Sequence, residues 1–264
     1  MEDPEENGMT FWEHLEVLRW ALFRIVCVLA FVMVGVFIAM PYIFDSFVLA
    51  PTSGDFFVYR WLNECSHGLL NFDKDFSVQI ININVASQFM THITTSISFS
   101  LVIIFPYIIY EVWNFIRPAL YDNEIHHLRP AFLGGTVMFF VGCAIGYLLV
   151  FPFTFHFLVD YQLSPNIENQ INLSSYIGNF TMMVLIMGLV FEMPLLAWVL
   201  SCLGVVRRSF LTQYRRHAIV VLMVLAAIIT PSGDPFTLML VFIPLYVLYE
   251  VSIRVVKKDE PEKD

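Results

Sequence analysis

Residues that can form charged hydrogen bonds are concentrated in the stretch 111–124, EVWNFIRPALYDNE. After Ile116 the stretch combines a guanidinium group, a phenol and two carboxylates: Arg117, Tyr121, Asp122 and Glu124. Carboxylates bind guanidinium ligands through paired, charge-assisted hydrogen bonds, so this stretch is a candidate site for cationic ligands. The ordinary alternative is a helix end whose aromatic residues mark a membrane interface.

A helix and its end must position this stretch. Glu111 and Phe115 are four residues apart, so they share one face of a helix. Pro118 cannot continue that helix without the loss of a backbone hydrogen bond, so we expect the helix to end near Arg117. The polar residues beyond this break then lie together at the surface of a membrane.

Charged residues near the N-terminus can combine with those of the stretch 111–124. Candidates for one acidic face are Glu16, Glu111 and Glu124, beside Arg19 and Arg117. Such a face would bind guanidinium groups. The alternative is a solvated interface with local pairs, of which Glu16 with Arg19 is the closest in sequence.

Two further acids lie in or beside apolar segments. Glu192 is near the middle of a predicted span, where a charge costs about 3 kcal/mol on insertion scales. It must be protonated, face a wet cavity or pair with another group, and it is either a structural acid or a residue that lines a path. Asp234 follows Pro231 in a predicted turn, where an acid is common.

Composition places these residues in a membrane protein. The chain has 264 residues, of which 58% are hydrophobic and only 14% charged, and its mean hydropathy is +0.71. A soluble domain is about 25% charged. We therefore predict an all-α, polytopic membrane protein with six transmembrane helices. The predicted spans are 25–44, 87–110, 130–159, 176–206, 218–230 and 236–249.

Both ends of this set of spans have special features. Thr10 and Glu13 form a capping box, so a helix should begin near Phe11 and enter the first span as an amphipathic interfacial helix. The last two apolar segments are short, about 20 Å each, against about 30 Å of hydrocarbon. They form either a re-entrant hairpin or, as we favour from the flanking basic residues, two short spans.

Basic residues predict the orientation. With both termini cytoplasmic, Arg60 and Lys74 are the only two of the 14 basic residues that fall in external segments. This asymmetry is a strong positive-inside signal and indicates an inner or plasma membrane. We expect no enzyme, because the sequence has no Gly-flanked serine nucleophile, phosphate loop, metal-ligand spacing or other cofactor motif. An intramembrane hydrolase is therefore disfavoured.

Six motifs carry a resemblance to a known family: HLEVLR (14–19), APT (50–52), EVWNFIRPALYDNE (111–124), FPFTFHF (151–157), FEMP (191–194) and TPSGDPFT (230–237). They resemble the landmarks of TatC, the multispanning receptor subunit of the twin-arginine protein translocase. The resemblance extends from about Phe11 to Val255. It implies a single TatC-like membrane domain over 1–264, with disordered tails at 1–9 and 259–264.

The resemblance also implies residue roles. Glu124 matches the family's signal-peptide acid in the first cytoplasmic loop, and Arg19 matches the arginine of the N-terminal block that carries Glu16. The neighbouring signature is matched by Phe115, Pro118 and Tyr121. Loop and intramembrane positions of the family are matched by Pro51, Glu192 and Asp234.

Two positions depart from the family pattern. Val17 stands where the N-terminal block usually has an acid, and Glu16 precedes it. Adjacent helix positions differ by about 100°, so Glu16 need not replace that acid. Leu238 stands where the family usually has glutamine after the last turn.

The function implied is a non-enzymatic receptor that binds twin-arginine signal peptides and recruits folded precursors for export driven by the proton-motive force. Expected partners are single-span TatA-type and TatB-type subunits, the lipid bilayer and further copies of the chain; no nucleic acid is expected. A rival from another class is a proton- or ion-coupled small-molecule transporter, with Glu192 as the coupling acid.

Overall fold

The computed structural model describes residues 11–65, 76–117, 122–164, 166, 169–230 and 233–256. This part of the chain is almost entirely helical, as predicted. Its α-helices are α1 (Phe11–Ile43), α2 (Phe57–Cys65), α3 (Ser87–Ile116), α4 (Asp122–Ile145), α5 (Phe151–Asp160), α6 (Leu173–Phe191), α7 (Met193–Cys202), α8 (Arg208–Gln213), α9 (Arg215–Ile229) and α10 (Pro235–Val255).

Five segments of the described chain are long and apolar enough to cross a membrane. They are Trp12–Thr52, Ser87–Ile116, Phe132–Asp160, Leu173–Cys202 and Pro235–Val255. The prediction of an all-α, multi-pass membrane protein is therefore confirmed. Helix α9 has only 15 residues and is not among the five.

Contacts between the helix ends define two opposite faces of the bundle. At one face, Phe132 at the beginning of the third span packs with Val199 at the end of the fourth. In the last turns of α10, the Tyr249 hydroxyl donates a hydrogen bond to the Leu211 carbonyl of α8, 2.7 Å away. We call this the N-terminal face, because α1 begins there. The opposite end is the far face.

The far face is closed by contacts between distant parts of the chain. Strand β1 (Ile80–Ile81) pairs in parallel with strand β2 (Ile171–Asn172). The hydroxyls of Ser87 and Ser174, at the beginnings of α3 and α6, are 2.5 Å apart. The described part of the region between the first two spans thus contains α2 and β1, and β1 pairs with the second half of the chain.

The hydrophobic core surrounds α6. Met183 and Met187 of this helix are fully buried and belong to the largest apolar cluster, together with Ala226 of α9 and Leu245 of α10. Helix α1, by contrast, packs mainly on α3. Most of its apolar side chains are exposed, as expected where a helix faces lipid.

Several predicted boundaries agree with the structure. Helix α3 ends at Ile116, one residue before the break predicted from Pro118. The third span contains a π-helical turn at Gly146–Val150, directly before Pro152. A π-helical turn contains one more residue than an α-helical turn, so it accommodates a proline, which cannot donate the backbone hydrogen bond of the regular helix.

Helix α1 runs without interruption from Phe11 to Ile43, so the predicted helix near Phe11 and the first span are continuous. Thr10 lies outside the described residues. Pro106 lies within the second span, and α3 continues through it. The fourth span is divided at Glu192 into α6 and α7, since Pro194 cannot donate the next helical hydrogen bond.

The last helix is longer than the apolar segment from which it was predicted. Helix α10 has 21 residues and is about 31 Å long at 1.5 Å per residue. Hydropathy marked only the apolar part, whereas the helix continues through Glu250 and Arg254. Glu250 is paired with Arg215 at the beginning of α9, 3.0 Å away. Of the two final segments, α9 alone is short.

Candidate functional site

A half-buried ion pair joins the first two long helices near the N-terminal face. The Arg24 guanidinium of α1 donates two hydrogen bonds to the Glu111 carboxylate of α3, from Nε to Oε1 at 2.9 Å and from Nη2 to Oε2 at 2.7 Å. The Tyr107 hydroxyl donates a third to Oε1, 2.6 Å away. Glu111 is only 3% exposed. The two-pronged geometry fixes both side chains, because guanidinium and carboxylate planes must align.

This arrangement corrects one prediction. Glu111 was grouped with Glu16 and Glu124 as an open acidic face, but both of its carboxylate oxygens are already bound to Arg24. A carboxylate held in this way is part of the scaffold. Sequence spacing could not have revealed the pair, since 87 positions separate its members.

Glu16 forms the local pair that was the alternative prediction. Its carboxylate oxygen Oε1 is 3.3 Å from Nη2 of Arg19, and both side chains are mostly exposed. The Arg19 guanidinium also lies 5.7 Å from the centroid of the Trp20 ring. An exposed pair of this kind contributes about 0–1 kcal/mol, so either residue can exchange its partner for a ligand.

An aromatic contact brings the N-terminal block to the signature stretch. The rings of His14 and Phe115 are stacked, with centroids 4.2 Å apart. Phe115 lies one helical turn after Glu111 on the same face of α3, as predicted. The two motifs most distant from each other in this half of the sequence are therefore neighbours, with Glu16 and Arg19 beside them.

The remaining predicted residues of this region are only partly described. Arg117 is exposed at the end of α3. Glu124 lies in the first turn of α4, which begins at Asp122, and its side chain is outside the described part of the structure. Pro118 and Tyr121 both lie outside the described residues.

Glu192 occupies the break between α6 and α7. Its amide donates to the Leu189 carbonyl, 3.1 Å away, and its carbonyl accepts from Leu196 N, 2.9 Å away. The residue is 6% exposed, and neither carboxylate oxygen has a hydrogen-bond partner within the described residues. Buried polar groups are nearly always paired, so this carboxylate has unused capacity to accept hydrogen bonds within the described part of the chain.

Asp234 caps the last helix. Its carboxylate accepts hydrogen bonds from the Thr237 amide, 2.8 Å away, and from the Thr237 hydroxyl. This is the ordinary role of an aspartate that directly precedes a helix. The turn acid predicted from the sequence is thus the N-cap of α10.

Pro51 is buried at the far face, within a 3₁₀ turn at Ala50–Thr52. Its carbonyl accepts a hydrogen bond from the Tyr59 hydroxyl, 3.1 Å away. The same hydroxyl lies 3.4 Å from the Pro152 carbonyl. Burial, with the nearby Asp160 carboxylate, raises the pKa of Tyr59, so the phenol remains a donor. Pro51 therefore helps to fasten the loop after α1 to the third span.

Sequence reasoning missed two of the three residues that form the hydrogen-bonded group around Glu111. Arg24 was counted only as one of the basic residues that set the orientation, and Tyr107 was not singled out. The available signal was the position of Arg24 directly before an uncharged span and of Glu111 at the end of another. A charge at such a position requires a partner.

Comparison with known proteins identifies the family. The family model described as Sec-independent protein translocase protein (TatC) matches residues 13–244. The chain belongs to the TatC family. The Sec-independent protein translocase protein TatC of Blattabacterium sp. subsp. Periplaneta americana is 34% identical over 258 residues, which cover 95% of this chain and 96% of that protein.

Further relatives agree with this assignment. The TatC protein of Deinococcus radiodurans is 32% identical over 98% of this chain and 92% of its own length. A crystal structure of the twin-arginine translocase receptor TatC in DDM superimposes with a TM-score of 0.76 at 28% identity. The superposition covers 93% of this chain and 100% of that one. This TatC-family chain is therefore a multi-pass component of a protein translocase.

Proposed function

We propose that this chain is the receptor subunit of a twin-arginine translocase: it binds twin-arginine signal peptides and recruits folded precursors. The contact between His14 and Phe115 is the observation that carries this proposal. It unites the two family motifs at one face of the bundle. The solved crystal structures of the twin-arginine translocase receptor TatC, to which this chain is similar, lend support.

The chemistry of the proposed site suits a pair of arginines. Glu124 is proposed as the main acid for the signal peptide, and Glu16 as a weaker one. An exposed carboxylate that exchanges a weak local partner for a guanidinium ligand gains a charge-assisted bond. Three more residues complete the proposed site around these carboxylates: Phe115, Pro118 and Tyr121. Arg19 holds Glu16 until a peptide arrives.

Three residues that lie outside the N-terminal face are proposed to have other roles. Glu192 is proposed to present its open carboxylate to a partner or precursor during translocation. Asp234 is proposed to support the function by capping α10, which fixes the beginning of that helix. Pro51 contributes to the rigidity of the far face through its buried contact with Tyr59.

The proposed setting is a bacterial inner membrane. The basic-residue asymmetry supports six spans, with α9 as a short fifth span, and with the N-terminal face and both termini in the cytoplasm. Single-span TatA-type and TatB-type subunits and further copies of the chain are the proposed partners. Transport is proposed to draw on the proton-motive force, within a single membrane domain over 1–264.

Site-specific photo-crosslinking in native membranes tests the proposal. A photoreactive residue replaces Leu15, which is 40% exposed near the N-terminal face, or Ile83, which is 68% exposed near the far face. A precursor with a twin-arginine signal should crosslink to position 15 and not to position 83. A twin-lysine signal should crosslink weakly at both. Equal crosslinking of the two signals at position 15 would overturn the proposal.

A further inference from the structure

We propose that the Arg24–Glu111 ion pair is a positioning device: it holds the N-terminal segment of α1 in the orientation that the signal-peptide site requires. The inference deepens the proposed function and rests on it. Arg24 and Glu111 do not contact the peptide in this view. They determine where Glu16 and Arg19 lie when the peptide arrives.

The segment before Arg24 has little apolar packing to hold it. Trp12 is 77% exposed and Trp20 is 49% exposed. Among the described side chains of this segment, Ala21 is buried, and Val17 and Leu18 are partly buried. Because one alanine and two half-buried side chains bury little apolar surface, hydrophobic contact alone defines the rotation of this segment weakly. The polar and aromatic contacts to α3 must supply the remaining constraint.

Two contacts to α3 supply it. Glu111 and Phe115 lie one turn apart on α3, while their partners Arg24 and His14 lie ten positions apart on α1, about 15 Å along the helix. A single contact leaves a helix free to rotate and tilt about that point. Two contacts at this separation fix its direction. Glu16 and Arg19 lie between them.

The ion pair is the more directional of the two contacts. Its paired hydrogen bonds require coplanar groups, and Tyr107 restricts the carboxylate further. Stacked rings, in comparison, can slide over each other. Loss of the ion pair should therefore leave α1 inserted but allow its N-terminal segment to move relative to α3.

The two members of the pair differ in what their removal leaves behind. Removal of Arg24 would strand a buried carboxylate, which is severely unfavourable. Removal of the Glu111 charge would strand a guanidinium that is 47% exposed and can be hydrated. Glu111→Gln is therefore the variant that separates positioning from folding, and the charge swap Arg24→Glu with Glu111→Arg is its rescue.

The test measures binding of labelled signal peptides to the full-length protein in detergent. The Kd values of the wild-type protein for the twin-arginine and the twin-lysine peptide are compared first. Glu111→Gln should then raise the Kd for the twin-arginine peptide about tenfold, because the site loses preorganisation. The charge swap should return it to within about threefold of wild type. Arg215→Gln breaks the pair with Glu250, another interhelical pair of this face, and should not change the Kd.

A second readout follows the position of α1 directly. Cysteines at positions 14 and 115, joined by a short bifunctional reagent, should crosslink efficiently in the wild-type background and poorly with Glu111→Gln. A purely structural role would instead lower the unfolding temperature without a change in the peptide Kd or in crosslinking.

The outcomes separate the two proposals. If wild type does not prefer the twin-arginine peptide, the proposed function fails and the positioning role fails with it. If wild type discriminates but Glu111→Gln binds like wild type, or weakens no more than Arg215→Gln, only the positioning role is overturned. Loss of folded protein in both Glu111→Gln and the charge swap would assign the pair to folding and also overturn it.

Discussion

Gly142 of α4 lies against Met187 of α6 so closely that a Cβ atom at position 142 would be 2.6 Å from the Met187 carbonyl oxygen. The same atom would be 2.8 Å from Cβ of Phe191. Neither neighbour can move alone, because one is backbone and the other is a buried side chain. The third and fourth spans therefore depend on glycine at this position for their contact.

The first prediction concerns this contact. Gly142→Ala should lower the free energy of unfolding by about 1–3 kcal/mol, since the added methyl group overpacks a close helix interface. Thermal unfolding in detergent measures the change. Gly134→Ala, in the same helix with nothing within 4 Å of the new atom, should instead be neutral or stabilise by up to about 1 kcal/mol. Equal behaviour of the two variants would contradict the close approach.

The second prediction concerns recognition. Glu124→Ala should weaken binding of a twin-arginine peptide by about tenfold to a hundredfold, because a charge-assisted bond contributes about 1.5–3 kcal/mol. Glu16→Ala should cost less, since Glu16 is exposed and already paired with Arg19. Peptide titration of both variants in detergent is the measurement, with a twin-lysine peptide as control. A larger loss from Glu16→Ala would reverse the assignment.

The third prediction concerns Glu192. Glu192→Met keeps the shape of the side chain but removes two buried oxygens that lack partners within the described residues. The protein should accumulate and become more stable by about 1–3 kcal/mol, the cost of an unsatisfied buried polar group, while precursor transport falls. Leu196→Met, at an exposed position of the next turn, is the matched control. Undiminished transport by Glu192→Met would remove this residue from the translocation path.

The fourth prediction concerns orientation. In a background where Cys27, Cys143 and Cys202 are replaced by serine or alanine, an impermeant thiol reagent should label Cys65 from outside the cell. A cysteine introduced at Lys263 should react only after the membrane is opened. The reason is the distribution of basic residues, which retains the positively charged segments in the cytoplasm. External labelling at position 263 would rule out six spans.

Local signals allowed much of the fold to be predicted. Pro118 predicted the end of α3, and the apolar runs located the long spans, because these features depend on residues adjacent in sequence. The length of α10 could not be predicted in this way, since its polar last turns are helical for a tertiary reason, the pair of Glu250 with Arg215. The break at Glu192 was missed although Pro194 follows two residues later, because a proline in an apolar run can also lie within a continuous helix, as Pro106 does in α3.

In the candidate site, too, contacts between residues close in sequence could be predicted, whereas contacts between distant residues could not. Glu16 with Arg19 could be predicted from a spacing of three residues. The pairing of Arg24 with Glu111 could not, because it depends on the packing of α1 against α3. Acids of the same type thus have different roles, and burial, which the sequence does not reveal, decides which one is open to a ligand.

The pairing of β1 with β2 has a consequence for how the protein is made. Ile80 meets Ile171, and the Val48 carbonyl accepts its hydrogen bond from Tyr176, 128 positions later. The ribosome synthesises the partners of the first extramembrane segment long after that segment itself. We expect this segment to remain unpaired until α6 has been inserted. A nascent chain that is stopped before residue 171 should therefore be cleaved in this segment by proteases that the finished protein resists.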